Sequence, residues 1–367
     1  MKYSVIIFLL LLIPAQLLGQ SVSVNAASGH ESLTNSEYSL SEGAVQVSGN
    51  QLLFAGQSVS QVISWAASSG GEKIGVIESG TGIKLHGFDY SGNKLFESEL
   101  EFFQQSDETI KVYSYETGKM ILRDNVANFS FLNPKGESLF SVSNSSQSTG
   151  GERTSMLSSD AHGKTVVLYN PLIVYSNGRG SRATIVFDEQ NRQEFFRSDN
   201  REILDLKVSE DGSFITLLTS GSGNNYGYLF DRFGNELFSV ELAEGQLGLS
   251  VSNGGEFLTN YSSGRVQVHN TISGETIGSS TSRNPVLYAS YMPQDEVIIV
   301  LNGRSSNGAI SEGMITAIHV TKRQIARSDI NFTISARDLQ SLSLEKTGTN
   351  RYNLTGLNKS LDLRTSF

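Results

Sequence analysis

One thirteen-residue phrase occurs twice in the sequence, and this repetition constrains the fold more than any other feature. Residues 88–100 read FDYSGNKLFESEL and residues 230–242 read FDRFGNELFSVEL, with eight identical positions and a separation of 142 residues. In each copy an Asp and a Gly fall between two apolar runs. An Asp at the start of a turn can accept a backbone N–H two residues on, and Gly tolerates the positive φ that closes a hairpin with a bulge. The phrase therefore predicts a β-hairpin.

Degenerate copies of this first phrase predict further hairpins. They read YSYETGKMILRD (113–124), VFDEQNRQEFFRSD (186–199) and VHNTISGETIGSS (268–280). In the second of these copies, Asn191 stands in the place of the Gly. Asn is the next residue to tolerate a positive φ, so we expect the same turn there.

A second phrase alternates with the first. VSEDGSFITLL (208–218) and VSNGGEFLTNY (251–261) lie 43 residues apart, and looser copies read SGGEKIGVI (69–77), LNPKGESLFSV (132–142), SDAHGKTVVLY (159–169) and YMPQDEVIIVL (291–301). One unit therefore holds two hairpins, or four strands, in a little over 40 residues, which is typical of a propeller blade. We predict an all-β fold, a β-propeller of about seven four-stranded antiparallel blades, with six or eight blades as alternatives. The irregular stretch 118–160 does not reveal its blade limits.

Several apolar runs are short and have apolar residues at consecutive positions, as in FITLL (214–218) and EVIIVL (296–301). Such strands are buried on both faces, whereas a sheet with one wet face would alternate. The C-terminal LDLRTSF resembles the closing strand of an outer-membrane barrel, whose strands are about ten residues long. The doubly apolar runs and the repeat favour the propeller over this alternative.

The N-terminal stretch MKYSVIIFLLLLIPAQLLGQ has the pattern of a secretory signal peptide. Lys2 precedes an apolar run, Val5 to Ile13, that is too short to span a bilayer. We expect cleavage after Gly19; cleavage after Ala26 and an uncleaved membrane anchor are the alternatives. The chain has no Cys at this junction, which excludes a bacterial lipid anchor. The expected location is secreted or periplasmic.

The predicted organisation has three parts. A signal peptide occupies 1–19, an N-terminal segment with a ring-closing strand occupies 20–45, and the propeller domain occupies 46–367. We expect the stretch 36–49, SEYSLSEGAVQVSG, to close the ring against the last blade, and 351–364 to form the last hairpin.

Charge and cysteine content exclude some functions. The formal net charge is −9 and becomes −10 when Lys2 leaves with the signal peptide. This net negative charge argues against nonspecific nucleic-acid binding, which needs Lys and Arg side chains that contact phosphates. The absence of Cys rules out disulfides, thiolate metal sites and cysteine nucleophiles, and it favours a bacterial over an animal exported protein.

The hairpins FDYSGNKLF, YSYETGKMI and FDRFGNELF resemble the Asp-x-x-Thr-Gly-x-x-Leu-Trp hairpin of quinoprotein-like propellers, and more broadly the chain resembles WD-repeat propellers. The resemblance covers most of the mature chain and implies the propeller fold. It departs from the family at the final Trp, which is Phe96, Ile121 or Phe238 here, so the tryptophan docking is expected to be missing. The one Trp, Trp65, lies outside the motif, and no catalytic residue is carried over.

Candidate metal ligands are scattered. The histidines are His30, His86, His162, His269 and His319. None forms a zinc motif, although a site assembled from several blades stays open; turn and strand positions are the simpler interpretation. The segments 188–191 and 209–212 weakly resemble calcium loops but lack the full set of ligands. We assign no catalytic, cofactor-binding or metal-binding residue and expect no cofactor.

The densest basic stretch contains Arg179, Arg182, Arg192, Arg197 and Arg201. Arg suits recognition of carboxylates or phosphates, but a set of solvated loops is the favoured interpretation. The sequence SNGRGSR (176–182) opens no helix, so it is not a phosphate loop, and no Gly-x-Ser-x-Gly motif occurs.

We therefore expect an exported, monomeric, non-enzymatic β-propeller that binds a protein or a glycan, with no nucleic-acid partner and no transmembrane segment after signal removal. The partner would bind at the loops of one end of the ring or at the channel mouth. One alternative is an extracellular glycan hydrolase or lyase, with two channel carboxylates roughly 5–9 Å apart. The other is an envelope-assembly factor that binds an exposed strand edge.

Overall fold

The structure of the protein is a computed structural model. It describes residues 22–26, 35–40, 43–48, 50–68, 73–80, 82–100, 110–124, 127–144, 155–160, 162–175, 178–209, 211–221, 223–306, 309–330, 334–335, 342–355, 361–365 and 367. The predicted signal peptide, Gly71 and His30 lie outside these residues. Among the described residues, no helix is long and apolar enough to cross a membrane.

The described strands form eight antiparallel sheets, called blades 1 to 8 here. Blades 1 and 2 contain β2 (Asn35–Leu40), β3 (Gly43–Ser48), β4 (Gln51–Phe54) and β5 (Gln57–Val59), then β6 (Val62–Ala67), β7 (Lys73–Ser79), β8 (Ile83–Asp89) and β9 (Lys94–Glu99). Blades 3 and 4 contain β10 (Lys111–Ser114), β11 (Met120–Arg123), β12 (Asn128–Leu132) and β13 (Ser138–Ser143), then β14 (Met156–Ser159), β15 (Val166–Tyr175), β16 (Gly178–Val186) and β17 (Arg192–Ser198).

Blades 5 and 6 contain β18 (Glu202–Val208), β19 (Phe214–Gly221), β20 (Asn224–Asp231) and β21 (Glu236–Leu242), then β22 (Gln246–Val251), β23 (Phe257–Ser262), β24 (Arg265–Asn270) and β25 (Thr276–Thr281). Blade 7 contains β26 (Val286–Met292), β27 (Val297–Ser306), β28 (Ala309–His319) and β29 (Gln324–Asp329), with β30 (Ile334–Ser335) beside β28. Blade 8 contains β31 (Ser343–Gly348), β32 (Arg351–Thr355), β33 (Leu361–Thr365) and β1 (Val22–Ala26).

The blades are arranged radially around a central axis. The first strands of successive blades contact one another, as β18 does with β22 and β22 with β26. In blades 1 to 7 the four main strands pair in sequence order, so the first strand is the inner one and the fourth is the outer edge; in blade 8 the outer edge is β1. This is the architecture of a β-propeller, and the prediction of that fold is confirmed. The eight blades are at the upper end of the predicted range.

The repeated phrases form the turns that the sequence predicts. The first phrase joins the third and fourth strands of a blade, and the second phrase joins the first and second strands. Gly92 and Gly234 have φ of 81° and 83°, and the Asp89 and Asp231 carboxylates each accept the backbone N–H of the Asn four residues later at 2.9 Å. Both kinds of turn lie at one end of the ring, called the hairpin end here. The opposite end is called the loop end.

The sequence predicts one hairpin without its place in the blade, and one turn prediction is wrong. In blade 3 the hairpin predicted at 113–124 is formed, but it joins β10 to β11, and the turn 133–136 joins β12 to β13, the reverse of the order of the two phrases in blades 2 and 5. Both turns close with a Gly N–H that donates to the carbonyl three residues earlier, so local sequence could not distinguish them. In blade 4, Asn191 does not have a positive φ. That hairpin is one residue shorter, and the Asn191 N–H donates to Asp188 Oδ1 at 2.8 Å.

The ring closes through the N-terminal strand β1. It pairs with β33 antiparallel, from Val22 opposite Thr365 to Ala26 opposite Leu361. The stretch 36–49, which we expected to close the ring, forms β2 and β3 of blade 1 instead. Strands β32 and β33 pair as the predicted C-terminal hairpin. The domain limits at 19, 45 and 367 stay predictions.

Apolar residues on both faces of the strands form the core between neighbouring blades. Residues 297–301 of β27 are all buried, as their doubly apolar pattern predicts. The fourth strands of blades 2, 3 and 5 contribute an inter-blade aromatic at equivalent register positions: Phe96, Phe140 and Phe238. In blade 4, Phe195 approaches Gly234 of blade 5 as Phe96 approaches Gly136 of blade 3. An added Cβ on Gly87, or on Gly136 of the next blade, would lie 2.2 or 2.3 Å from the Phe96 ring. Phe96 thus lies between blades 2 and 3, where the quinoprotein-like motif has Trp, whereas Ile121 lies in β11.

Candidate functional site

The described histidines occupy separate blades. His86, His269 and His319 are buried, and His162 lies in the first turn of blade 4. His86 Nε2 lies 2.8 Å from Glu78 Oε2, and His269 Nε2 lies 2.8 Å from Asn260 Oδ1. The described residues include no group of three or more His, Asp or Glu side chains that could hold a metal ion. The histidines with these contacts therefore act as local hydrogen-bonding residues.

The two calcium-like segments are turns that use their own carboxylates. Asp188 Oδ2 accepts the Asn191 side-chain amide at 2.6 Å, and Asp211 Oδ1 accepts the Ser209 hydroxyl at 2.7 Å. The side-chain and backbone N–H groups of Asn191 hold the pKa of Asp188 below its ordinary value. The described residues of both segments thus take part in turn hydrogen bonds, and Glu210 of the second segment lies outside the described residues.

The basic stretch does not form one cluster. Arg192 lies at the hairpin end and donates to the Glu189 carbonyl, while Arg201 lies at the loop end over the Tyr226 ring at 3.8 Å. Arg182 donates to Asn170 Oδ1 at 2.8 Å, and Arg197 Nε lies 3.0 Å from Glu194 Oε1. Arg179 is exposed in β16. The five arginines therefore do not form a single basic surface. They lie at both ends of blade 4, and four of them have separate local contacts.

The inner strands present aliphatic side chains near the loop end of the channel. Near the start of the first strand of four blades, the register shifts at one aliphatic residue: Ile63, Leu204, Leu247 or Leu287. Leu204 and Leu247 are 43% and 51% exposed. Ile63 and Leu287 pack against the cores of their blades, so the exposed apolar side chains among these four are those of Leu204 and Leu247 in blades 5 and 6.

A carboxylate in the inner wall is used to join blades. Asp205 Oδ2 lies 3.6 Å from Lys207 Nζ and accepts the Leu249 N–H of the next blade at 3.3 Å. Burial raises the pKa of Asp205, and the opposing effects of Lys207 and the backbone N–H groups are smaller. The Lys207 ammonium also lies 5.7 Å from the centre of the Tyr288 ring. Asp205 thus serves the contact between blades 5 and 6.

The hairpin end carries a group of exposed apolar side chains on three consecutive blades. Phe187, Phe233 and Ile272 belong to the outer hairpins of blades 4, 5 and 6 and are 44%, 47% and 84% exposed. The Phe187 and Phe233 rings are stacked, with centroids 6.3 Å apart and planes at 28°. These three residues are called the apical patch here. Tyr90, on the equivalent hairpin of blade 2, is 42% exposed.

The surroundings of the apical patch are acidic. The described turn residues of blades 4 to 6 at this end include exposed or half-buried carboxylates at Asp188, Glu189, Asp211, Asp231, Glu256 and Glu275. The basic side chains in the same turns are Lys164, Arg192 and Arg232. The Arg232 guanidinium lies over the Phe233 ring at 4.7 Å, so one positive group is already engaged by the patch. Contiguous exposed apolar groups with a polar rim are typical of protein-binding surfaces.

The repeated phrase contained the signal for this patch. In FDRFGNELF, Phe233 occupies the apex of the turn, where a side chain has no core to enter. The Asp and Gly of the phrase predict the turn, but they carry no information about the side chains between them. An apolar residue at the apex of a correctly placed hairpin predicts exposure, and this holds for Ile272 as well.

Comparison with known proteins supports the fold. No family model matches the sequence, and no curated protein matches it. The structure is similar to the Dos1 propeller, with a TM-score of 0.54, 12% identity, and coverage of 95% of this chain and 93% of that chain. A structure of a eukaryotic initiation factor gives a TM-score of 0.50 and 10% identity, with coverage of 83% of this chain and 90% of that chain.

BamB from Moraxella catarrhalis aligns with 15% identity and a TM-score of 0.49, over 95% of this chain and 99% of that chain. At such identities the likeness concerns fold alone. Together with the topology, the match to the Dos1 propeller shows that the chain is a β-propeller.

Proposed function

We propose that this protein is an exported binding scaffold and that it holds a partner protein at the apical patch. The observation that carries the proposal is the stacked pair Phe187 and Phe233, both nearly half exposed, in the outer hairpins of adjacent blades. Aromatic side chains of this kind supply large, rigid contact area and are enriched at the centres of protein interfaces. The acidic rim favours a partner segment that combines apolar side chains with Lys or Arg.

The position of the patch also supports a scaffold. The three hairpins are short, and the turns are fixed by Asp231 with Gly234 in blade 5 and by Asn270 with Gly274 in blade 6. A rigid surface loses little conformational entropy when it binds, so more of the contact energy becomes affinity. The apolar mouth at Leu204 and Leu247 lies at the opposite end of the ring and is not part of this surface.

The test compares a double variant, Phe187→Ser with Phe233→Ser, against Tyr90→Ser, which removes an exposed aromatic from the equivalent hairpin of blade 2. Partners are captured with the mature wild-type chain, identified, purified and titrated against each variant by calorimetry. We expect the double variant to weaken binding by at least about 30-fold, or about 2 kcal/mol, as removal of interface hot spots does. We expect Tyr90→Ser to bind like the wild type. Equal affinity of wild type and double variant would refute the apical patch as the site.

Export is proposed on the N-terminal sequence, and the fold constrains where the signal peptide is removed. Cleavage after Ala26 would remove β1 and leave β33 without the strand it pairs with in blade 8. We therefore expect the mature chain to begin at Gln20. N-terminal sequencing of protein from the extracellular or periplasmic fraction checks this, and a mature chain that begins at Ala27 would contradict it.

A further inference from the structure

A deep cleft lies between blades 6 and 7, on the outer side of the ring. It has two lobes of about 630 Å³ and 460 Å³, which share Ser280, Ile318 and Ile325 as lining residues. The larger lobe reaches Arg283 towards the loop end, and the smaller lobe reaches Arg323 at the hairpin end. The two lobes therefore form one groove along the blade interface.

Where it borders the cleft, blade 6 lacks the inter-blade aromatic of blades 2 to 5. In the register of the outer hairpin, Gly278 opposes Val268 just as Phe238 opposes Leu229 in blade 5. Val320 approaches the vacated place, since its methyl carbons would lie 3.2 and 3.3 Å from a Cβ on Gly278. Ser279 and Ser280 of β25 are also small, while Ile277 and Thr281 are the larger lining residues of this strand. Val320 therefore packs beside Gly278, and the groove continues past it over Val300 and Ile318.

The charge of the cleft is opposite to that of the protein. Arg283, Arg323 and Arg327 line it, and the lining residues include no Asp or Glu. Among the ion pairs of the described residues, none involves these three arginines. The whole chain carries a formal charge of −9, so this is a local positive surface on an acidic protein. Its floor is apolar, with Val300 and Ile318 from blade 7.

The edge of β25 forms one wall of the cleft. Residues 277–281 line it consecutively rather than at alternate positions, so both the side chains and the backbone of the strand border the groove. Strand β25 is the outermost strand of blade 6 and pairs only with β24 among the described strands. Its outer N–H and C=O groups are therefore available to an added strand. Six residues of extended chain span about 20 Å.

We propose that this cleft binds an extended segment of a partner protein that carries carboxylate side chains and one aromatic side chain. The segment pairs with the edge of β25, its carboxylates pair with the three arginines, and its ring packs on the apolar floor formed by Val300 and Ile318. The site is separate from the apical patch, so the proposal does not depend on the partner held there.

The test uses a labelled peptide, Glu-Val-Glu-Phe-Glu-Val, and a matched peptide with Lys at each Glu position. Fluorescence anisotropy follows their binding to the mature chain. We expect the acidic peptide to bind with a Kd below about 1 mM, to bind more weakly as salt screens the arginines, and to bind at least about tenfold more tightly than the Lys peptide.

Two independent variants locate the binding. Ser280→Trp fills the junction of the two lobes, and the pair Arg283→Glu with Arg327→Glu reverses the charge at exposed positions without touching the core. Each is expected to weaken binding of the acidic peptide by at least about tenfold. The apical variant Phe233→Ser is expected to leave the affinity for this peptide unchanged. Absence of binding, equal binding of the Lys peptide, or affinity unaffected by the arginine reversal overturns the proposal. A dimer of the protein alone that Ser280→Trp dissociates assigns the cleft to a second copy and also overturns it.

Discussion

The contact between Gly87 and Phe96 gives a sharp test of how the blades are held together. An added Cβ on Gly87 would lie 2.2, 2.6 and 2.7 Å from three carbons of the Phe96 ring, so Gly87→Ala must displace the ring from the interface. We expect this change alone to lower the free energy of unfolding by about 2–3 kcal/mol, as overpacking does. Phe96→Ala should cost about 3 kcal/mol, at the low end for Phe because the ring is only partly buried.

The double variant separates a steric effect from a backbone effect. Gly87 has an ordinary negative or extended φ, so Ala is acceptable to the backbone once the ring is gone. In the Phe96→Ala background, Gly87→Ala should therefore be neutral or stabilising by about 0.4–1 kcal/mol. The coupling between the two changes should be about 2–3 kcal/mol or more, well above the error of a double-mutant cycle.

Denaturant unfolding of the four proteins, followed by circular dichroism and fluorescence, measures this cycle. Gly82→Ala is the matched control, because an added Cβ there has nothing within 4 Å, and it should change stability by less than about 0.5 kcal/mol. Additive effects of Gly87→Ala and Phe96→Ala would refute the reasoning, since they would mean that the Ala methyl group and the ring do not compete for the same space.

Two further predictions concern buried and turn carboxylates. Tyr352→Phe removes the hydroxyl that donates to Asp295 Oδ2 at 2.8 Å between blades 7 and 8, and it should cost about 1.5–3 kcal/mol; an unchanged urea midpoint would contradict this. Burial of Asp231 raises the pKa of its carboxyl, but the N–H groups of Asn235, Phe233 and Gly234 outweigh this and hold the pKa below its ordinary value. The resulting stability is present above the unfolded pKa of 3.8 and is lost as pH falls through the folded value, so wild-type stability should fall more steeply below about pH 4 than that of Asp231→Asn. If the free energy of unfolding of the wild type and of Asp231→Asn changed in parallel with pH, the carboxylate would not have this stabilising effect.

Sequence alone predicts the hairpins because their chemistry is local. Asp89 and Gly92 form the turn with neighbouring backbone groups, whatever the rest of the chain does. The same locality limits what can be predicted. The turns at Gly118 and Gly136 in blade 3 use the same bonding, and only their position in the sheet shows which is the inner turn and which is the outer.

Ring closure and the candidate sites depend on contacts that are distant in sequence. Strand β1 has only five residues, and its partner lies more than 300 residues away, so no local pattern identifies the pair. The cleft cannot be inferred from the repeat alone. The β-bulge in each outer hairpin determines which residue of the fourth strand faces the next blade, and only the structure shows that Gly278 of blade 6 takes the register position of Phe238 in blade 5. The apical patch needs adjacent hairpins to bring Phe187 beside Phe233.

The pairing of β1 with β33 determines how the ring responds to mechanical force. Val22 lies opposite Thr365, so both chain ends leave blade 8 at the same end of one antiparallel pair. Tension applied between the termini acts on that first pair alone and opens the backbone bonds one after another, as a zipper opens. A shear geometry would strain all five pairs at once. The propeller is therefore weakest to force at blade 8, and stretching should release this blade before the seven that are formed by continuous chain.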